Sequence, residues 1–488
     1  MGQGAAGRKD EPELCGPEPD RERRLAGQGM RLPLPRHLPA SRELGGFPKM
    51  RRPLALSSLS ILTLILWACS ANEPAPTPLP DPTEELAPVF PTDSVPAVEL
   101  QLSGGLAPLV NAFLTQGTMD YVAGSFLFNG EAVDNVGIRL KGILSSGTGK
   151  EEKKYSFKVN FDYFEAPHFM GLDSVHLLND KPDPSHMREI LASRMYRSMG
   201  VPAARSASVT LEVDGEGLGV YTMVQEIDKR FLKVWFGTEA GADDGNLYKC
   251  VAPGCSLVYR GDKKTDYIVT SCEEPAGCGF VLKTNEDDPS LNDYADLIAF
   301  LDLVNNTPDE GFQAALEDVF EVDLFLRYLA VAVVISDYEG YLEKLDSFFL
   351  YHRPDNDKWV FIPWDLNKTY GASKCKASPE HTGGPLFPPW CGESQRPLGK
   401  RILAIPAWRA RYESYVGELL DGLFQEDVQR GWIETIDLLI RDHVKADPKP
   451  MFPFKDYQHS VGDYGSDWDP MNLIEFVQDR RAYLTKQL

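Results

Sequence analysis

The stretch Val322-Asp-Leu-Phe-Leu-Arg-Tyr-Leu-Ala-Val-Ala-Val-Val-Ile335 runs directly into Ser336-Asp337, and the chain then reads Ser347-Phe-Phe-Leu-Tyr351 and Lys358-Trp-Val-Phe-Ile-Pro-Trp-Asp365. The first run is apolar almost without interruption. A helix with that pattern is stable in water only when enclosed on all sides, so it predicts a buried central helix. The two shorter runs, joined by Pro354-Asp355-Asn356-Asp357, predict short strands about a turn. An aspartate at the C-terminal end of a buried helix stands against the helix dipole. Asp337 is therefore a candidate for chemistry, the plain alternative being an acid that starts a loop. Asp365 ends the second strand behind Pro363-Trp364, and its plain alternative is a helix cap.

Working outward, apolar spacing predicts helices over 291–304, 312–316, 412–423, 428–444 and 471–484, with a shorter helical piece at 402–403. Upstream, β-branched and aromatic residues between Gly, Asn and Asp turns predict strands over 124–127, 136–140 and 155–161. A helix is predicted over 187–199, where Ile190, Leu191, Met195 and Met199 share a face and Gly200-Val201-Pro202 stops the run. The segments 206–213 and 218–225 straddle Asp214-Gly215-Glu216-Gly217, a hairpin signal. An antiparallel sheet lobe over about 98–285 followed by a helical lobe over about 286–488 is an α+β arrangement.

The N-terminal part reads differently. Met50-Arg51-Arg52, the apolar run 54–67 and Ala68-Cys69 have the parts of an export signal, and the run is short for a membrane span, which needs roughly 20 apolar residues. Leu66-Trp67-Ala68-Cys69 resembles a lipobox, with Cys69 as the lipidated residue and Trp67 a departure from the small residue usual there; a soluble secreted protein is the competing reading. Residues 1–49 lie upstream of that signal and read as a mis-called or disordered extension, and the Pro-, Thr- and acid-rich 70–97 reads as a tether. Past Cys69 stand six cysteines, Cys250, Cys255, Cys272, Cys278, Cys375 and Cys391, an even number suited to an exported protein. Local pairing joins Cys375 to Cys391 and leaves the other four to close a small insertion. A zinc site competes, but the spacings are loose for zinc and no histidine lies near. The 43% hydrophobic content excludes disorder of the whole chain, and a formal charge of −22 with no dense basic stretch in the body argues against a nucleic-acid partner.

Gly137-Ile-Arg-Leu-Lys-Gly142 and Lys153-Lys-Tyr-Ser-Phe-Lys158, then His176-Leu-Leu-Asn179 with Ser185-x-Met-Arg-Glu189, resemble a family in order. So do Gly219-Val-Tyr-Thr-Met-Val-Gln-Glu-Ile-Asp228, Gly245-Asn-Leu-Tyr-Lys249, Asp337 with Phe349-Leu-Tyr351, and Trp359-Val-Phe-Ile-Pro-Trp-Asp365. Over about 130–375 the chain looks like the spore-coat protein H (CotH) kinase family, with Pro-Trp-Asp the most specific element. The resemblance implies an atypical protein-kinase-like two-lobed fold that transfers the γ-phosphate of ATP, with Mg²⁺ or Mn²⁺, to Ser/Thr of surface or coat proteins. Phosphoryl transfer needs a Lys on the phosphates, a Glu holding that Lys, carboxylates on the metal and a carboxylate at the acceptor hydroxyl. The kinase order of strand Lys and helix Glu points to Lys158, with Lys154 second, and to Glu189. Arg139 and Lys141 are further phosphate candidates, and Glu226 falls where a kinase places its hinge beside adenine. Asp337 takes the role of catalytic base and Asp365 that of metal ligand.

Two departures matter. Asp346-Ser347 stands where the family usually has an Asn ligand, so Asp346 is the replacement oxygen donor, and Asn367 stands where a second acid is frequent. They favour a second reading, a non-catalytic surface lipoprotein keeping the scaffold as a structural or adhesion module. Transfer of nucleotidyl groups, or hydrolysis, would reuse the same acids and lysines. No Gly-x-Ser-x-Gly, His-Glu-x-x-His or Gly-x4-Gly-Lys-Ser/Thr motif is present. The Ser/Gly loop 145–150 resembles a flexible phosphate-covering loop, with a plain linker as the alternative, and His381-Thr-Gly-Gly384 reads as a rigidified surface loop between Cys375 and Cys391.

Overall fold

The computed structural model describes residues 81–141, 154–164, 168–269, 278–375, 381–391, 396–462 and 472–488. The signal and lipidation site at 50–69, the 1–49 extension, the loop 145–150 and Cys272 lie outside the described residues.

Alternation of apolar and polar side chains builds a closed seven-stranded barrel from β1 (Ala97–Leu102), β2 (Val122–Phe128), β3 (Glu131–Leu140), β4 (Phe157–Asn160), β5 (Ser174–Leu178), β6 (Ser206–Val213) and β7 (Glu216–Gln225). Neighbours pair antiparallel around the order β1-β2-β3-β4-β5-β7-β6, and β1 closes the ring by lying parallel to β6, Val98 opposite Leu211. Side chains such as Leu100, Phe126, Ile138, Phe157, Val175 and Met223 fill the inside, so the barrel is a packed core. The β6–β7 turn is Asp214-Gly215, with φ of 52° and 82°, the left-handed pair that a tight two-residue hairpin requires. Helix α1 (Leu106–Gln116) follows β1.

A second, five-stranded sheet has the order β12-β11-β8-β10-β9. It is made of β8 (Leu247–Val251), β9 (Ile268–Val269), β10 (Cys278–Leu282), β11 (Phe348–Arg353) and β12 (Lys358–Pro363). Beyond β12, Phe320 bridges to Trp359, and at the other side β9 is only two residues long. Cys250–Cys255 and Cys375–Cys391 form local disulfides, and Cys278 is disulfide-bonded.

The helices are α2 (Arg188–Ser198), α3 (Lys229–Phe236), α4 (Ala295–Asn306), α5 (Asp309–Val319), α6 (Val322–Ile335), α7 (Pro397–Ile402), α8 (Pro406–Asp421), α9 (Glu426–Lys445), α10 (Phe454–Ser460) and α11 (Leu473–Thr485). Twelve of the fourteen residues of α6 are buried, as its sequence requires. Helix α2 belongs to the same core as α6: Leu191 and Met195 pack in one cluster with Leu329 and Val333. No helix among the described residues is long and apolar enough to cross a membrane.

The structure is thus a mixed α+β fold, but two boundaries move. A division near 285 does not separate sheet from helix, because β8 to β10 precede it and pair with β11 and β12, which lie beyond it. The tether ends before 97. Leu86, Val89 and Phe90 are buried against the barrel, and Asp81 meets Arg197 at 3.2 Å and Arg205 at 3.4 Å. The Pro-rich composition of this strap hid those three buried anchors.

Lys154, expected near nucleotide, does something else. It is fully buried, its ammonium bonded to the Asp447 carboxylate just past α9 and to the Val220 carbonyl at 3.2 Å, over the Tyr221 ring. It rivets the barrel to the C-terminal helices and is not free to meet a phosphate. Burial pulls its pKa down, against the pull of Asp447. Removing one partner strands a buried charge, so Lys154→Met should cost about 3–5 kcal/mol in urea denaturation, and Lys154→Met/Asp447→Asn should recover part of that loss.

Candidate active site

The site lies where the outer wall of the barrel meets the second sheet. On β3 to β5 the side chains facing away from the barrel core include Arg139, Lys158 and His176, aligned across the register Arg139↔Lys158↔His176. Opposite them the second sheet presents Leu247, Phe349 and Ile362, with Trp364 at the end of β12. Trp364 is the floor of the cleft. His176 meets its ring edge-on at 5.2 Å, Phe349 does so at 5.7 Å, and the Lys141 ammonium lies 5.2 Å over it.

Helix α2 carries Glu189 into this cleft because its first turn is held by Asp183. That carboxylate accepts the N–H groups of Ser185 (2.9 Å), Met187 (3.0 Å) and Arg188 (2.8 Å) and pairs with the Arg188 guanidinium. Four partners on one buried acid fix the start of the helix. Glu189 then accepts the N–H of Leu366 at 2.7 Å, which ties α2 to the turn after β12. Burial, and next the Asp365 charge, push Glu189 up to about 8, with Lys141 opposing.

Asp337 stands after Ser336, which ends α6 at a left-handed φ of 58°. It is buried and accepts the Tyr196 hydroxyl at 2.9 Å and the Gly340 N–H at 3.2 Å. Gly340 lets the chain pass close to this carboxylate, where a Cβ would stand 3.0 Å from Asp337 Oδ2 and press on it. Burial chiefly, with Glu339 and Asp365 adding to it, holds Asp337 up at about 7. Asp346 accepts Ala252 (3.1 Å) and Ser347 (2.9 Å) N–H groups on Oδ1, and burial with the Asp365 charge raises it also. Asp365 itself has a left-handed φ of 57°, as has Ser347, a conformation that costs energy in a non-glycine residue and concentrates at functional sites.

Asp365 is therefore the hub of the site: its charge acts on Glu189, Asp337 and Asp346, and Lys141 acts on Glu189 from the barrel side. It corrects one pairing. Lys158 is bound not by Glu189 but by Glu226, at 2.7 Å. Glu226 also takes His176 Nε2 at 2.5 Å, and its carboxyl is held well below the usual range by Lys158 and His176 in spite of burial. Burial opposes the charge of Lys158, yet Glu226 outweighs it and raises that pKa. His176 is driven down to about 3 by burial and so is neutral. Arg139 stacks on Tyr121 and donates to the Leu140 carbonyl, which turns it toward the barrel's flank. His176 and Trp364 stood in the quoted motifs without a role, and Tyr196 was not singled out. Only the alternation along β5 could have placed His176 on the outer face.

Among the described residues, the clusters whose ligand atoms lie within 4.8 Å of one another are Glu343 with Cys375 and Cys391, which are disulfide-bonded, and exposed Asp162 with His168 and Asp173. Asp365 belongs to neither. The repulsion that Asp365 exerts on Glu189, Asp337 and Asp346 nevertheless fits a divalent cation, which relieves it, and Mg²⁺ habitually keeps waters and phosphate oxygens in its shell around one or two carboxylates.

A family model described as CotH kinase protein matches residues 138–484. The chain belongs to the CotH kinase protein family. Its relatives include the inner spore coat protein H of Bacillus subtilis, 23% identical over 342 residues that cover 70% of this chain and 84% of that protein. Two invasins of Rhizopus delemar, CotH3 and CotH2, are 23% and 24% identical over 54% and 48% of this chain. The matched part spans about two fifths of each invasin's own length, 41% and 37%.

The raised pKa of Asp337 sets a pH test. Its folded-state value of about 7 exceeds the ordinary 3.8, so the folded state holds the extra proton and stability drains away as pH rises from about 4 to 7. Asp337→Asn removes that dependence. Without added metal, the variant should gain about 3 kcal/mol on the wild type between pH 5 and pH 8 in denaturant titrations, since each tenfold difference in proton affinity between folded and unfolded states is worth about 1.4 kcal/mol.

Proposed function

We propose that the protein is a phosphotransferase of the CotH kinase type, which uses ATP with Mg²⁺ or Mn²⁺ to phosphorylate Ser/Thr of surface or coat proteins. The observation that carries this reading is the gathering of Glu189, Asp337 and Asp346 about Asp365, whose charge raises the pKa of all three, with Lys141 acting on Glu189 from the barrel side. The barrel side and the α6 side of that cleft then stand for the two lobes of a kinase-like fold.

The metal nucleotide supplies a transferable phosphoryl group and the cation charge that neutralises it. Asp365, with Asp346 beside it, would hold the cation, and Lys141 would meet phosphate oxygens. Glu189 keeps Lys141 and the Asp365 turn in place. Asp337, held near neutrality and oriented by Tyr196 and Gly340, is poised to take the proton of an acceptor hydroxyl as the phosphoryl group reaches that oxygen. The ion pair of Lys158 with Glu226 closes the barrel side of the cleft, where the adenine end would lie. Spore-coat and invasin relatives agree with a place at the cell surface. The lipobox-like sequence at Cys69 supports a lipid anchor to the membrane, and the acidic body favours coat or surface proteins over nucleic acid as partners.

The second reading, a non-catalytic surface module, is favoured by Asp346, whose Oδ1 is engaged by two backbone N–H groups. Transfer of labelled γ-phosphate from ATP to a generic acceptor separates the two. Wild type should transfer, Asp365→Ala should lose both metal-dependent nucleotide binding and transfer, and Asp337→Ala should bind nucleotide while transfer falls at least about 100-fold. A wild type that neither transfers nor binds nucleotide with metal leaves the scaffold reading standing.

A further inference from the structure

Three of the cations named in the sequence as phosphate ligands are already committed: Lys154 to Asp447, Lys158 to Glu226, Arg139 to Tyr121 and a carbonyl. A further lysine in the same cleft is not. Lys249 lies in β8, the middle strand of the second sheet, opposite Phe349 on β11 and Val281 on β10. Its chain neighbours Tyr248 and Cys250 turn into the α6 core, while Leu247, two residues back, packs in the layer with Phe349 and Trp364. Side chains alternate along a strand, so Lys249 points with Leu247 toward the barrel wall and into the cleft. The start of β8 is locked there because Gly245 passes so close to β11 that a Cβ would stand 1.8 Å from the His352 carbonyl oxygen.

The groups that act on Lys249 from the surrounding elements are Lys141 after β3, Glu226 after β7, Lys283 after β10 and Asp365 after β12, and it in turn acts on Asp346 before β11. No carboxylate among the described residues comes within ion-pairing distance of its ammonium. An ammonium turned inward without a counterion is costly, and the usual resolution is a ligand anion. We propose that Lys249 is the second phosphate-binding cation of the cleft, set across from Lys141 so that the two clasp the phosphate chain of the nucleotide beside Asp365. This rests on the phosphotransferase reading for the nature of the ligand, but the anion site itself does not. Burial and the nearby Lys141 charge lower the Lys249 pKa, which is the condition an arriving anion reverses.

The test uses inorganic tripolyphosphate with Mn²⁺, titrated calorimetrically into the purified protein, its Lys249→Met, Lys249→Gln and Lys249→Arg variants, and Lys283→Met as the neighbouring-charge control. The wild type should bind. The Met and Gln variants should bind at least about tenfold more weakly, Arg should stay within about threefold, and Lys283→Met should change little; thermal melts confirm which variants are folded. In the transfer assay the Met variant should lose kcat more than it raises KM, as expected of a group that acts on charge developing in the transition state. Equal tripolyphosphate binding by wild type and the neutral variants, no binding by wild type, or an equal loss in Lys283→Met overturns the assignment. If γ-phosphate transfer fails while tripolyphosphate binding still depends on Lys249, the kinase reading falls and the anion site stands.

Discussion

One hydrogen bond, from the Leu366 N–H to the Glu189 carboxylate, joins the two halves of the cleft. On one side it reaches α2, whose start is fixed by Asp183; on the other it holds the turn that bears Asp365 in its left-handed conformation. Losing it frees Asp365 to relax, and with it the position of Trp364, on which His176 and Lys141 rest. Burial and Asp365 raise the pKa of this acid and Lys141 lowers it, so the same contact couples the charge of Asp365 to that of Lys141.

The lysines of the barrel show how partner and burial sort identical side chains into different work. Lys154 and Lys158 are four residues apart. One is sealed between the barrel and the end of α9 with its own aspartate, and the other sits on the cleft wall with Glu226. Their surroundings move the two pKa values in opposite directions, because desolvation dominates at Lys154 and the Glu226 charge prevails at Lys158. Sequence proximity carries none of that information.

Much of the architecture was legible. Helix α6 could be nothing else, since fourteen residues with that apolar content admit no solvent face, and the Asp214-Gly215 turn announces its own hairpin. Asp337 was legible as an acid out of place at a helix C-terminus. What stayed hidden depends on long-range pairing: the closure of β1 on β6 joins residues more than a hundred positions apart, and β8 is a five-residue strand whose neighbours β10 and β11 both follow it in the chain, β11 about a hundred positions on. The partner of Lys158 escaped the sequence for a related reason. Strand Lys and helix Glu fix an order along the chain, whereas which acid faces which base depends on the outer face of the barrel, where Glu226 arrives from β7.

Closure of the barrel has a consequence for how the molecule meets others. A ring of seven strands offers no unpaired row of backbone donors and acceptors, and the second sheet ends in a two-residue strand on one side and a Phe320 bridge on the other. Backbone templating by a foreign strand, the route by which sheet proteins crowded together stick irreversibly, is therefore closed off at both sheets. Contacts with neighbours fall to side chains and loops.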